Sequence, residues 1–140
     1  MTPSAPGGTS SAPGGDAGTR HWPTEIRLKS AEKRLEIAFD NGARFSLPAE
    51  YLRVYSPSAE VQGHSPDQRV TQHGKIHVGI IGVEPVGNYA VKLVFDDLHD
   101  SGIYTWNYLY ELGERQDALW AEYLAEIGEK GLTREPRLPR

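Results

Sequence analysis

The fold is decided by Tyr89-Ala-Val-Lys-Leu-Val-Phe-Asp-Asp-Leu-His-Asp-Ser-Gly-Ile-Tyr-Thr-Trp-Asn-Tyr-Leu-Tyr-Glu-Leu-Gly113. Tyr89, Val91, Leu93 and Phe95 alternate, which places them on one face of a strand. Asp96-Asp97-Leu98-His99-Asp100 then breaks the alternation. Ile103, Trp106, Leu109 and Tyr110 follow at helical spacing, with Ser101 as the expected N-cap and Gly113 as the expected C′ residue. The stretch therefore reads as a strand, an acidic corner carrying one histidine, and an aromatic helix.

Upstream, the tract from Ile76 to Val86 is rich in Val and Ile and supplies the hairpin partner of that strand, with Pro85 and Gly87-Asn88 turning the chain. Further back, Ile26 and Leu28, then Leu35, Ile37 and Phe39, then Phe45 and Leu47 alternate with polar neighbours. Residues 24–47 thus read as an antiparallel meander with one wet face. Asp40-Asn41-Gly42 predicts a type I′ hairpin turn, because Asn-Gly tolerates positive φ. Pro48 suits the first position of a short helix through Arg53, which Ser56-Pro57-Ser58 ends, and residues 59–75 read as a connecting loop.

Downstream, Leu119, Trp120, Tyr123, Leu124 and Ile127 form the apolar stripe of a last helix. The fold class is α+β: an antiparallel sheet, built as a meander plus a hairpin, with a short helix and two C-terminal helices. Residues 1–21 are Gly/Pro/Ser-rich and predict a disordered tail. A single domain spans 22–130, and 131–140 is expected to fray.

Composition excludes several functions. With no cysteine among 140 residues there is no disulfide, thiolate metal ligand or cysteine nucleophile. A net charge of -4 and a pI near 5.7 argue against nucleic-acid binding. No apolar run reaches the roughly 20 residues that cross a bilayer, and no secretory leader is legible, so a cytoplasmic location is the expectation. Neither a phosphate-binding Gly-rich loop, nor a Gly-x-Ser-x-Gly elbow, nor a His-Glu-x-x-His pair is present. No histidine is followed two places on by a carboxylate, as an iron facial triad would require. The chain is expected not to be an enzyme.

Two readings of the corner stay open. Asp96, Asp97 and Asp100 with His99 could hold a divalent cation or a small molecule; the same residue types also serve simply to cap a helix. His64, His73 and His77 do not extend the set, since His73 and His77 on a strand would stand about 13 Å apart. No cofactor is expected. Tyr104 and Tyr108, at i and i+4 of the predicted helix, would form a second aromatic face, either packed or open to a protein partner. Arg53 could pair with the corner if the loop folds beside it.

The Ile-x-Leu and Leu-x-Ile-x-Phe strands around Asp-Asn-Gly, Leu52-Arg53 before Ser56-Pro57-Ser58, and Phe-Asp-Asp-Leu-His-Asp-Ser-Gly-Ile-Tyr carry a resemblance. Together they resemble the gamma-butyrobetaine hydroxylase-like N-terminal domain family over about residues 23–113. In the hydroxylases this domain precedes an iron- and 2-oxoglutarate-dependent catalytic domain, for which this chain has no room. The resemblance also implies a small zinc module built from three cysteines and the corner histidine. Those positions are Ser56, Ser58, Val61 and His99 here, so zinc is not carried over.

What the resemblance implies is a stand-alone bacterial-type member in which hydrogen bonds replace the metal staple. Related domains joined to iron–sulfur carrier proteins imply an accessory role linked to iron–sulfur or metalloprotein maturation. On the reading of the residues themselves, a protein partner would touch Tyr104, Tyr108, Asp97, His99 and Arg53. The alternatives are a metal- or small-molecule-binding module at His99, and a recognition subunit of a separately encoded 2-oxoglutarate oxygenase.

Overall fold

The computed structural model describes residues 18–63 and 68–136. Strands β1 (Pro23–Lys29), β2 (Arg34–Phe39) and β3 (Arg44–Pro48) form the first antiparallel sheet. Helices α1 (Ala49–Val54) and α2 (Ala59–Gln62) follow. Strands β4 (Ile80–Val86), β5 (Ala90–Phe95) and β6 (Ile103–Thr105) form the second sheet, and α3 (Trp106–Glu114) and α4 (Gln116–Glu129) close the chain. The α+β class and the meander stand as read. The antiparallel strands are divided between two three-stranded sheets.

One core joins both sheets. Leu35, Ile37, Phe39 and Leu47 meet Tyr51 and Leu52 of α1, Leu93 and Phe95 of β5, and Leu109 and Leu112 of α3. The alternation of β2 and β5 explains this: each strand turns its apolar set to one face and buries it. The Tyr51 and Tyr104 hydroxyls each donate to a carbonyl, Leu112 O at 2.6 Å and Leu52 O at 2.5 Å, so these buried phenols leave no polar atom unmatched.

Several local expectations are corrected. The β2–β3 turn is not type I′: among the described residues only Gly42 of this loop has positive φ (+91°). Gly42 N–H donates to Phe39 O, and Phe39 N–H donates to Ala43 O. That is a three-residue loop, a type I turn closed by a left-handed glycine. Residues 59–62, expected as loop, make one helical turn because the Ser58 hydroxyl accepts from Glu60 N–H at 3.1 Å. The second hairpin begins at Ile80 rather than Ile76.

The largest correction lies in the aromatic segment. Ile103-Tyr104-Thr105 is a strand, with Lys92 opposite Ile103 and Val91 opposite Tyr104. The helix therefore starts at Trp106, capped by the Thr105 hydroxyl rather than by Ser101. Gly113 lies inside α3, not after it, where a Cβ would stand 2.3 Å from the Phe45 ring. At the ends, Asn107 holds the backbone of Gly18, Arg20 and His21. Residues 133–134, expected to be frayed, accept hydrogen bonds from Gly74 and Ile76 N–H. The expectations for 1–17 and 137–140 fall outside the described residues. No helix among those described is long and apolar enough to cross a membrane.

Candidate functional site

Two segments 40 residues apart meet at the corner. The first is the turn that leaves α1: Ser56 follows its C-terminus and Ser58 caps α2. The second is the β5–β6 connection, residues 96–102. Phe95 N–H donates to His99 O at 2.9 Å, and Leu98 N–H donates to Phe95 O. This closes a tight loop with Leu98 at φ +73°.

His99 joins the two. Its side chain is 3% exposed. Nδ1 lies 2.9 Å from Glu60 Oε1, and Nε2 lies 2.9 Å from Ser56 Oγ. An ionised carboxylate only accepts, so Nδ1 carries the proton and Nε2 accepts from the Ser56 hydroxyl. Ser56 Oγ accepts in turn from Ser58 N–H, and Ser58 Oγ bonds Ser101 Oγ at 2.7 Å. Burial lowers the His99 pKa, the Arg53 charge lowers it further, and together they outweigh Glu60.

Beside this network sits a charged latch. Asp97 Oδ2 accepts from Arg53 Nε at 2.9 Å and from Lys75 Nζ at 2.7 Å, and Oδ1 accepts from His99 N–H. Burial raises the Asp97 pKa, but the Lys75 hydrogen bond and the Arg53 charge prevail and hold it below the usual carboxylate range. Arg53 Nη1 is the one buried side-chain nitrogen or oxygen among the described residues with no hydrogen-bond partner. Among the described residues, Asp97 is the carboxylate paired with that guanidinium.

The residues named from sequence separate into groups. Arg53, Asp97 and His99 do converge. Tyr104 does not offer a surface: it is fully buried on β6, because strand pairing turns it inward. Tyr108 is half-buried and its hydroxyl donates to Tyr55 O. Of the two readings of this pair, packed or open to a partner, the structure shows the packed one. Glu60, Lys75 and Ser101 were missed as site residues, since an isolated Glu, Lys or Ser in a loop carries no periodic signal.

The corner's acidic and imidazole groups are bonded to different partners. Asp96 accepts from Gly79 N–H on the β4 side, Asp97 faces Arg53 and Lys75, and the His99 ring faces Ser56 and Glu60. No group of three or more His, Cys, Asp or Glu suited to a metal occurs among the described residues. Nor do the positions that the resemblance assigns to zinc fit it: Ser56 and Ser58 present neutral hydroxyls already hydrogen-bonded, and Val61 is a buried hydrocarbon. His73 and His77 lie away from this network in hydrogen bonding, with His77 facing Glu135 at 3.8 Å. His64 lies outside the described residues.

Glu60–His99–Ser56 has the atom order of a hydrolytic triad. Ser56, however, is 0% exposed, and a Cβ on the neighbouring Gly102 would stand only 2.5 Å from its Oγ. The hydroxyl has no open side for an acyl group, so the three act as a staple.

The staple makes stability pH-dependent. A histidine pKa depressed by folding means that the unfolded chain binds more protons. Its contribution is complete above the ordinary value near 6.5 and is lost as pH falls through the folded value. Denaturant midpoints should fall from pH 7 towards pH 5, and His99→Gln should flatten that slope. An equal slope in both proteins would contradict the assignment.

A family model described as gamma-butyrobetaine hydroxylase-like, N-terminal, matches residues 26–110. Two solution NMR structures are similar to this chain. One is 53% identical, covers 85% of this chain and 94% of its own, and has a TM-score of 0.73. The other is 46% identical over 94% and 96%, also at 0.73. A crystal structure from Acidithiobacillus ferrooxidans, of a protein of unknown function in the DUF971 family, is 38% identical over 65% and 91%, with a TM-score of 0.55. No curated protein matches. On the extent of the model match and the identity to the first solved structure, the chain belongs to the gamma-butyrobetaine hydroxylase-like N-terminal domain family.

Proposed function

We propose that this protein is a non-catalytic accessory domain that binds a protein partner through its acidic corner, with Leu98 as the apolar anchor. The observation that carries this reading is Leu98 itself, 93% exposed and at φ +73°. A leucine in the left-handed region costs about 1–2 kcal/mol, and a solvent-facing leucine recovers none of it by packing. A glycine would serve the loop better, so the side chain is retained at a cost. Asp97, tied to Arg53, Lys75 and His99, holds the loop so that little ordering entropy is lost on docking.

The partner class to test first is the iron–sulfur or metal-carrier proteins that the resemblance implies. The chain with Leu98 and its Leu98→Asp and Leu98→Gly variants are immobilised and challenged with such carriers. Both variants should lose about 30-fold or more in affinity, the scale of a truncated interface anchor. Leu98→Gly should at the same time gain about 1 kcal/mol in stability by relieving the backbone. Equal capture by all three proteins would sink the proposal, whatever their stabilities.

A further inference from the structure

A second acid–base arrangement, outside the corner, lies between the start of α1 and the outer face of α4. Glu50 on α1 is 6% exposed. Its Oε2 accepts from Arg134 Nε at 2.9 Å and its Oε1 from Arg134 Nη2 at 2.7 Å. The same guanidinium lies over the Trp120 ring, 5.2 Å from its centre, and Tyr51 meets Trp120 edge-on at 6.2 Å. These groups line a cleft of about 410 Å³ whose apolar floor continues along Ala121 to Leu124, itself 40% exposed.

A buried carboxylate beside an indole face is the chemistry that selects a guanidinium, through a forked hydrogen-bonded pair and a cation–π contact. The two halves are held differently. Glu50, Tyr51 and Trp120 stand on helices packed into the core. Arg134 arrives on the segment after α4, whose backbone is attached by Gly74 N–H to Thr133 O and Ile76 N–H to Arg134 O. Leaving Glu50 unpaired in so buried a place is costly, and an incoming arginine would restore the pair that the internal one gives up. With Arg134 in place as one wall, the cleft still lies open beside it towards Leu124, which leaves room for an apolar neighbour of the arginine.

We propose that the Glu50–Trp120 cleft is a docking site for an arginine-bearing extended segment of a partner protein, with this chain's own Thr133–Pro136 segment seated there as its stand-in. The recognition elements are the Glu50 carboxylate, the Trp120 ring, and the Gly74 and Ile76 N–H groups that would pair with the incoming backbone. This site is separate from the Leu98 corner and does not depend on it.

The test uses the full chain carrying Arg134→Ala, titrated with a peptide of residues 133–140 and followed at the Trp120 indole N–H by NMR. Saturable shifts are expected. Binding should be about tenfold tighter than to the unaltered chain, where the internal arginine competes. A peptide with alanine at its first arginine should not bind. If Arg134→Ala does not fold, Arg134→Lys, which keeps the charge and loses the fork, takes its place. No saturable shift on a folded variant, equal binding of both peptides, or equal affinity for altered and unaltered chains would reduce Arg134 to an internal strut. Concentration-dependent dimerisation of the unaltered chain, abolished by Arg134→Ala, would assign the cleft to a second copy and overturn the partner reading.

Discussion

Replacing Asp97 with alanine is expected to cost about 3–5 kcal/mol, because it strands a buried cation. The Arg53 side chain is 8% exposed and its Nη1 already lacks a partner, so without Asp97 the guanidinium loses its ion-pair partner in a largely buried place. Lys75 is 22% exposed and can turn to solvent, so Lys75→Ala should cost only about 1 kcal/mol. Against a typical total of about 5–15 kcal/mol, the first loss is severe. Urea unfolding checks it, and Arg53→Met added to Asp97→Ala should restore part of the loss by removing the stranded charge. A cost below about 1 kcal/mol for Asp97→Ala would mean that the latch is not buried as described.

Gly113→Ala should destabilise by about 2 kcal/mol, with a sign opposite to helix propensity. Inside a helix, alanine normally gains about 1 kcal/mol over glycine. Here the added Cβ would lie 2.3 to 2.6 Å from three Phe45 ring carbons, closer than any real contact. Phe45 cannot simply swing aside, because its ring meets Phe39 at 6.0 Å and Tyr110 at 5.4 Å between centres. Overpacking therefore outweighs propensity. A thermal midpoint at or above that of the unaltered chain would show that β3 and α3 do not approach this closely. The pairing with Phe45→Ala sharpens the test, since removing the ring should make Gly113→Ala neutral or favourable.

These two positions also show where the sequence is legible. Leu35, Ile37 and Phe39 alternate cleanly, and so do Val91, Leu93 and Phe95, so the meander and the second hairpin can be read directly. Gly113 looked like a helix terminator because its partner, Phe45, is 68 residues away and leaves no local trace. Ile103, Trp106 and Tyr110 satisfy helical spacing, yet Ile103-Tyr104-Thr105 pairs with β5. Three residues are too few for a period to choose between strand and helix. Ser101 and Thr105 are both good caps, and only that long-range pairing decides for Thr105. Of the two readings of Tyr104, packed or partner-facing, the same pairing decides for the packed one, on a strand rather than a helix.

The site was half legible. Arg53 meets the corner, at Asp97, because the turn after α1 folds beside it, as the residue types allowed. His99 stood out as the single imidazole of the corner, and the resemblance pointed to Ser56 and Ser58 as its neighbours. Glu60 could not be found, since its contact with His99 exists only because Ser58 caps one turn of α2. Leu98 was equally hidden. Its side chain is ordinary in the sequence, and only its positive φ and near-complete exposure mark it.

His99 is the neutral staple between the α1–α2 turn and the corner. The measurement that reaches it most directly is an NMR pH titration of the His99 ring nitrogens in ¹⁵N-labelled protein. A proton on Nδ1, an acceptor Nε2, and a midpoint below the ordinary histidine value near 6.5 are expected. A midpoint at or above that value, or a proton on Nε2 of the neutral ring, would contradict the staple.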